Sequence, residues 1–228
     1  MTDVVLCELE GVVAETKALR RRALERSFAD EGLTLPPAAL ADADGLPAEE
    51  AVRAALRAAE LARDDTDVAL LALRAERHFA ELAGTGIALA PGAREFLDRA
   101  RETARLALVT RAHRRDVDLV LGLAGLEALF ECIVAAEDTA SPKPSPAAYR
   151  TALDRLARRR PLRRERVLAL EDGLAGIRAA RAAGVRCIAV GTLPAHVAAE
   201  ADAAVASIAG HTPSTLDAML MLREEITG

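Results

Sequence analysis

Five short runs rich in Val, Ile, Leu and Ala recur along the chain, at residues 4–9, 106–110, 132–135, 167–170 and 185–190, each bounded by charge or glycine. Their apolarity is continuous rather than alternating. A strand with one wet face alternates, so runs of this kind predict strands covered on both faces, the situation of a parallel sheet. From residue 106 onward the runs alternate with segments of helical spacing at 114–124, 146–158 and 173–183, and parallel strands need such crossovers. The expected fold is therefore α/β, a doubly wound parallel sheet. Ligands of such sheets bind outside the carboxyl ends of the strands, which directs attention to residues 8–11, 110–112, 137–138 and 171–173.

Between the first and second runs lies a long stretch without strand character. Apolar residues there fall at helical spacing, as in Leu19, Ala23, Leu24 and Phe28, then Ala51, Val52, Ala55 and Leu56. Breaks at residues 32–37 and 44–47 separate its helices. The division expected is an α/β core formed by residues 1–15 and 88–228, and an inserted all-helical domain at 16–87.

Composition narrows the functional classes. Thirty Lys and Arg against 35 Asp and Glu leave a net charge of −5, so no overall field attracts nucleic acid or anionic lipid. Aromatic residues are 2% of the chain, with no Trp and one Tyr, Tyr149, which removes base-stacking platforms and predicts an aliphatic core. The chain begins with an acidic stretch, MTDVVLCELEG, followed by no apolar run of membrane-spanning length, so neither a signal peptide nor a membrane span is expected and the location expected is cytoplasmic. Cys7, Cys132 and Cys187 sit far apart inside apolar runs, the pattern of buried free thiols rather than of disulfides or zinc ligands. The basic run at residues 158–166 reads as a solvated helix end.

Four stations carry chemistry, each just past a predicted strand. The first holds Glu8 and Glu10, two residues apart and so directed to one side of a strand end, followed by Gly11, which permits a sharp exit. Two such carboxylates could share a metal or divide nucleophilic and acid/base work, and taken alone they are more often a solvated strand end. Thr110 is the second station, and the third is Lys143 within SPKPSP. Lys17 and Lys143 are the only lysines, every other Lys/Arg position being Arg, and a compact ammonium differs in use from a planar guanidinium. The fourth is Glu171 with Asp172. Glu8 and Asp172 are suited to a hard Mg2+, and Thr110 and Lys143 to phosphoryl oxygens.

The order of these stations, with a helical insert between the first and second, resembles the haloacid dehalogenase-like hydrolase superfamily, in particular its phosphatase and β-phosphoglucomutase-like branch. LCELEGVVAET resembles the first motif, LALVTRA the second, SPKPSPAAY the third and LALEDGLAGIRAARAAGVRCIAVG the fourth; APGAREFLDRA and ADGLPAEEAVRAAL resemble further segments, the latter from the helical cap. The resemblance implies that Glu8 attacks a phosphoryl group to form an acyl phosphate, and that Glu10 protonates the leaving oxygen and then activates water. It implies that Mg2+ is held by Glu8, the backbone carbonyl of Glu10, Glu171 and Asp172. Gly11, Thr110, Arg111 and Lys143 would surround the phosphate, with Arg20 of the cap near the substrate. The helical insert would be the cap that selects the substrate.

Several positions depart from the family pattern. Glu8, Glu10 and Glu15 stand where the family carries Asp, keeping the charge and adding a methylene. Arg111 replaces a usual small residue, and Pro142 a usual Gly. Arg20 stands where mutase relatives carry a cap His, and Pro47 and Ala48 supply no Arg for a second phosphate, which disfavours a mutase. Glu10 disfavours a dehalogenase. The function expected is Mg2+-dependent hydrolysis of a small phosphorylated metabolite. The alternatives are a catalytically impaired relative that binds a phosphorylated ligand or a partner, and a sugar-phosphate mutase.

Overall fold

The computed structural model describes residues 1–227, with side chains through residue 222. Among the described residues six strands form a single sheet: β1 (Val4–Cys7), β2 (Arg105–Val109), β3 (Cys132–Val134), β4 (Val167–Glu171), β5 (Arg186–Val190) and β6 (Ala203–Val205), in the order β3-β2-β1-β4-β5-β6. All five pairings are parallel. The architecture is the doubly wound α/β sheet that continuous apolarity implies. Every residue of β1 and β4 is buried, as a strand sandwiched by helices requires. The winding changes direction between β1 and β4. Their register pairs Cys7 with Leu170, so the residues that follow these two strands face the crevice where open α/β sheets bind ligands.

The chain divides into two compact units, one formed by residues 1–14 and 89–228 and the other by Glu15–Ala88. The first contains the sheet and its helices α5 to α10, which follow α1 to α4 in chain order. They are α5 (Ala93–Thr103), α6 (Arg114–Ala124), α7 (Ala147–Arg159), α8 (Leu174–Ala182), α9 (Ala195–Ala198) and α10 (Pro213–Thr227). α5 begins at Gly92, whose φ is 77° and whose missing Cβ would lie 2.3 Å from the Ala209 Cα. Only glycine fits there, both for its left-handed backbone and for the close approach. α6 stops at Gly125, also left-handed at φ 62°. Aliphatic side chains from β1, β2, β4 and β5 pack with Tyr149, Ala152, Leu153 and Leu156 of α7 and with Ile177 and Ala180 of α8.

The second unit holds α1 (Lys17–Ala29), α2 (Pro37–Ala41), α3 (Ala48–Ala58) and α4 (Asp65–Ala83). α4 starts where Asp64 accepts a hydrogen bond of 2.8 Å from the Asp67 amide, with Asp65 and Asp67 in the first turn, an arrangement favoured by both capping and the helix dipole. Leu24, Phe28, Val52, Leu56, Val68 and Leu71 are among the residues of its own core. No helix of the described residues is long and apolar enough to cross a membrane.

The runs predicted from sequence coincide with β1 to β5 to within one or two residues. β6 was not anticipated. It is three residues long, AAV, and its middle residue is exposed, so it offers no apolar run to detect.

At the opposite, amino-terminal edge of the sheet, Arg105 at the start of β2 clasps Glu131, just before β3, with two hydrogen bonds of 2.8 Å. Hydrogen bonding from Arg105 lowers the Glu131 carboxyl below its ordinary 4.5, more than burial raises it. A depressed carboxyl stabilises the fold above its unfolded value, and the contribution fades as pH falls through the folded value. Glu131→Gln should therefore cost about 1–2 kcal/mol at neutral pH, and the difference in melting temperature from the native chain should shrink steadily below pH 4.5. A difference that persists unchanged at low pH would show that the charge of Glu131 is not what holds the pair.

Candidate active site

Glu8 follows β1 directly and is only 7% exposed. Its amide donates to the Leu170 carbonyl at 3.0 Å, extending the pairing with β4, and its Oε1 accepts from the Leu9 amide at 2.7 Å. Its Oε2 accepts from Lys143 Nζ at 2.5 Å. The Lys143 ammonium has three donors and uses all three: on Glu8, on the Val109 carbonyl at 2.8 Å and on Glu171 Oε1. One cation from the loop before α7 thus ties together the ends of β1, β2 and β4.

Charge and burial are both extreme here. Lys143 is 5% exposed and Glu171 is 1% exposed. Burial works against the ammonium, but the charges of Glu171 and Glu8 outweigh it and hold Lys143 above its ordinary value. For Glu171 burial dominates, Lys143 opposes it and Glu8 adds to it, leaving its carboxyl raised. A buried ion is costly unless paired and hydrogen-bonded, and this cluster meets both conditions. Cys7, the residue before Glu8, is fully buried; burial with the charges of Glu171 and Glu8 pushes its thiol up to about 12. It is a core thiol, inert at neutral pH.

Asp172 reaches the same edge by a different contact. Gly11 adopts φ 71°, and a Cβ placed on it would lie 2.4 Å from Asp172 Oδ2. The loop leaving β1 therefore passes directly over the Asp172 carboxylate, and a side chain at residue 11 would fill that space. Within this loop Gly11 donates to the Ala14 carbonyl at 2.9 Å and Val13 to the Leu9 carbonyl at 3.0 Å, and Glu10 is half-buried. Thr110, 4% exposed, follows β2 directly; its amide donates to the Val134 carbonyl and its Oγ1 accepts from the Ala112 amide at 3.2 Å. Arg111 beside it is half-buried.

Other predicted residues have different partners. Glu171, a candidate metal ligand by sequence, accepts at its Oε1 from both Lys143 and the Tyr149 hydroxyl. Its other oxygen lies where a Cβ on Gly176 of α8 would come within 1.8 Å. Glu171 and Glu8 together are the counter-ions of Lys143. Arg20 belongs to the helical unit, where its guanidinium lies 4.2 Å from the centre of the Phe79 ring. It lines a pocket of that unit with Lys17, Arg21, Asp44 and Glu76. Glu137 and Asp138, past β3, hold local structure. Glu137 accepts from the Arg114 amide at the start of α6 and contacts His113 Nδ1 at 2.8 Å, while Asp138 pairs with Arg114 and Arg155. Tyr149 and Gly176 were not singled out from sequence, because neither lies at a strand end.

Glu8, Asp172 and the Glu10 carbonyl, in the segments that follow β1 and β4, offer oxygen donors only. Among the described residues no group of three or more His, Cys, Asp or Glu side chains could hold a metal, so a closed zinc-type cage is not built here. Magnesium asks for less, taking one or two carboxylates and completing its shell with water and substrate phosphate. The donor set fits Mg2+.

Comparison with known proteins adds independent findings. The family model described as haloacid dehalogenase-like hydrolase matches residues 5–190. The chain is 34% identical over 206 residues to Protein CbbY of Cereibacter sphaeroides, covering 82% of this chain and 84% of that protein. It is 29% identical over 205 residues to validoxylamine A 7'-phosphate phosphatase of Streptomyces hygroscopicus subsp. limoneus, covering 89% and 92%. The crystal structure of CbbY from Rhodobacter sphaeroides in complex with phosphate superposes with a TM-score of 0.81 at 31% identity, covering 95% of this chain and 100% of that one. A mutant of the same protein has been solved with xylulose-(1,5)bisphosphate, with a TM-score of 0.78, 31% identity and coverage of 92% and 96%.

Proposed function

The chain belongs to the haloacid dehalogenase-like hydrolases and is an enzyme of their phosphatase kind, and from this premise we propose that it removes phosphate from a small phosphorylated metabolite, with Glu8 as nucleophile. The observation that carries the reading is the contact of the Lys143 ammonium with Glu8 at the carboxyl ends of the central strands. A carboxylate so held is fixed in place with a cation beside it, as an attacking group requires. The relatives named for a phosphate ester, or solved with phosphate and a sugar bisphosphate, support a sugar phosphate or similar ester as substrate.

In this reading a Glu8 oxygen forms a bond to phosphorus as the bond from phosphorus to the ester oxygen breaks. Glu10 gives its proton to that leaving oxygen. Glu10, now a carboxylate, then takes a proton from water, whose oxygen attacks phosphorus; inorganic phosphate leaves and Glu8 is restored. Lys143 neutralises the phosphoryl oxygens by its charge, and Thr110 hydrogen-bonds them. Glu8, Asp172 and the Glu10 carbonyl would hold Mg2+, which when bound offsets the negative charge of nucleophile and phosphate. Gly11 keeps the loop close to Asp172. The helical unit is proposed as the cap that selects the substrate.

The test is phosphate release from a panel of sugar and other small phosphate esters, with Mg2+ and with EDTA. Turnover that requires Mg2+ is expected for at least one ester of the panel. Binding of phosphate esters without any turnover would overturn the catalytic reading, and a requirement for a bisphosphate activator would replace it with a mutase.

A further inference from the structure

Tyr149, the chain's only tyrosine, lies in the first turn of α7 with no exposed surface. Its hydroxyl donates to Glu171 Oε1, the same oxygen that accepts from Lys143. Its ring centre is 5.3 Å from the Lys143 ammonium. Glu171 therefore divides its negative charge between two donors, while Lys143 divides its positive charge among Glu171, Glu8 and the Val109 carbonyl. These two divisions are linked. A carboxylate oxygen that already accepts a hydroxyl proton attracts an ammonium less strongly, and the ammonium is then more available to its other partners.

We infer that Tyr149 is a positioning residue that, by occupying Glu171, biases the Lys143 ammonium toward Glu8 and the phosphoryl group. This rests on the proposed phosphatase reading and extends it to a side chain whose hydroxyl bonds Glu171. Without the hydroxyl, Glu171 draws the ammonium to itself. Charge building on the phosphoryl oxygens in the transition state is then less neutralised, while ground-state binding of the ester changes little.

Tyr149→Phe keeps the ring and its packing and removes only the hydroxyl. The experiment compares the native chain, Tyr149→Phe, Glu171→Gln and the double variant in Mg2+-dependent phosphate release and thermal unfolding. Tyr149→Phe is expected to lower kcat about tenfold, as the loss of a hydrogen bond to a charged group would, with KM within about twofold. On the Glu171→Gln background the same change should have no further effect. Equal losses on both backgrounds, or a fall in stability with kcat unchanged, would overturn the inference.

A second readout does not depend on turnover. Because Lys17 and Lys143 are the only lysines, a chain labelled with 15N-lysine gives separable ammonium resonances, with Lys17 as internal reference. Tyr149→Phe should shift the Lys143 resonance and leave that of Lys17 in place, and Glu171→Gln should abolish the shift. A Lys143 resonance that does not respond would overturn the inference even if no ester is turned over. Lack of turnover with a responsive resonance would overturn only the phosphatase reading.

Discussion

Replacing Lys143 by methionine should destabilise the protein by about 3–5 kcal/mol, the range found when one member of a buried ion pair is removed. Methionine fills a similar volume, so the loss is electrostatic rather than steric. The substitution leaves Glu8 and Glu171 buried at the ends of adjacent strands with no cation between them, and the Val109 carbonyl without its donor. Adding Glu171→Gln should return part of the lost stability by removing one of the two charges. Lowering the pH should do the same, since a protonated carboxyl no longer needs the ammonium. Lys143→Arg should not rescue, because a planar fork cannot place three donors where the ammonium places them. Urea unfolding of the single and double variants checks this; additive losses in the double variant would contradict the account. Phosphate release should be lost in Lys143→Met whatever the stability, as the charge that neutralises the phosphoryl group is gone.

Gly176→Ala presents a case in which local preference and tertiary packing make opposite predictions. Within α8 alanine is the better helix former by about 1 kcal/mol. The added Cβ, however, would fall 1.8 Å from Glu171 Oε2 and 2.1 Å from its Cδ, so Glu171 must leave its place. Moving that side chain disturbs its bonds to Lys143 and Tyr149 and, through Lys143, the orientation of Glu8. Packing should win. We expect Gly176→Ala to lower stability by about 2–3 kcal/mol, in the upper part of the overpacking range, and to reduce kcat at least about tenfold, since small displacements of reacting groups are costly. A variant as stable and active as the native chain would mean that Glu171 can serve from another position.

The sheet was legible because its strands are buried on both faces, which forces runs such as Val167, Leu168, Ala169 and Leu170 to be apolar without interruption. β6 was not, for it pairs on one side only and exposes its middle residue. Glu8, Thr110, Lys143, Glu171 and Asp172 were legible as a set because topology gathers the residues after parallel strands at one edge. Roles inside the set were less so. That Glu171 pairs with Lys143 and Tyr149 depends on where α7 and α8 place Tyr149 and Gly176, and nothing local to VLALED records that. Arg20 has the same difficulty: its ring partner Phe79 is 4.2 Å away in space and belongs to another helix, α4.

The central claim is that Glu8, one methylene longer than the family's usual aspartate, accepts the phosphoryl group. The most direct measurement is acid quenching of the enzyme during turnover of a substrate ester, followed by peptide mass spectrometry of the segment that contains Glu8. The account predicts one phosphoryl group on Glu8 in the native protein, and neither phosphoryl group nor turnover in Glu8→Gln. Phosphate release that continues in Glu8→Gln would contradict it.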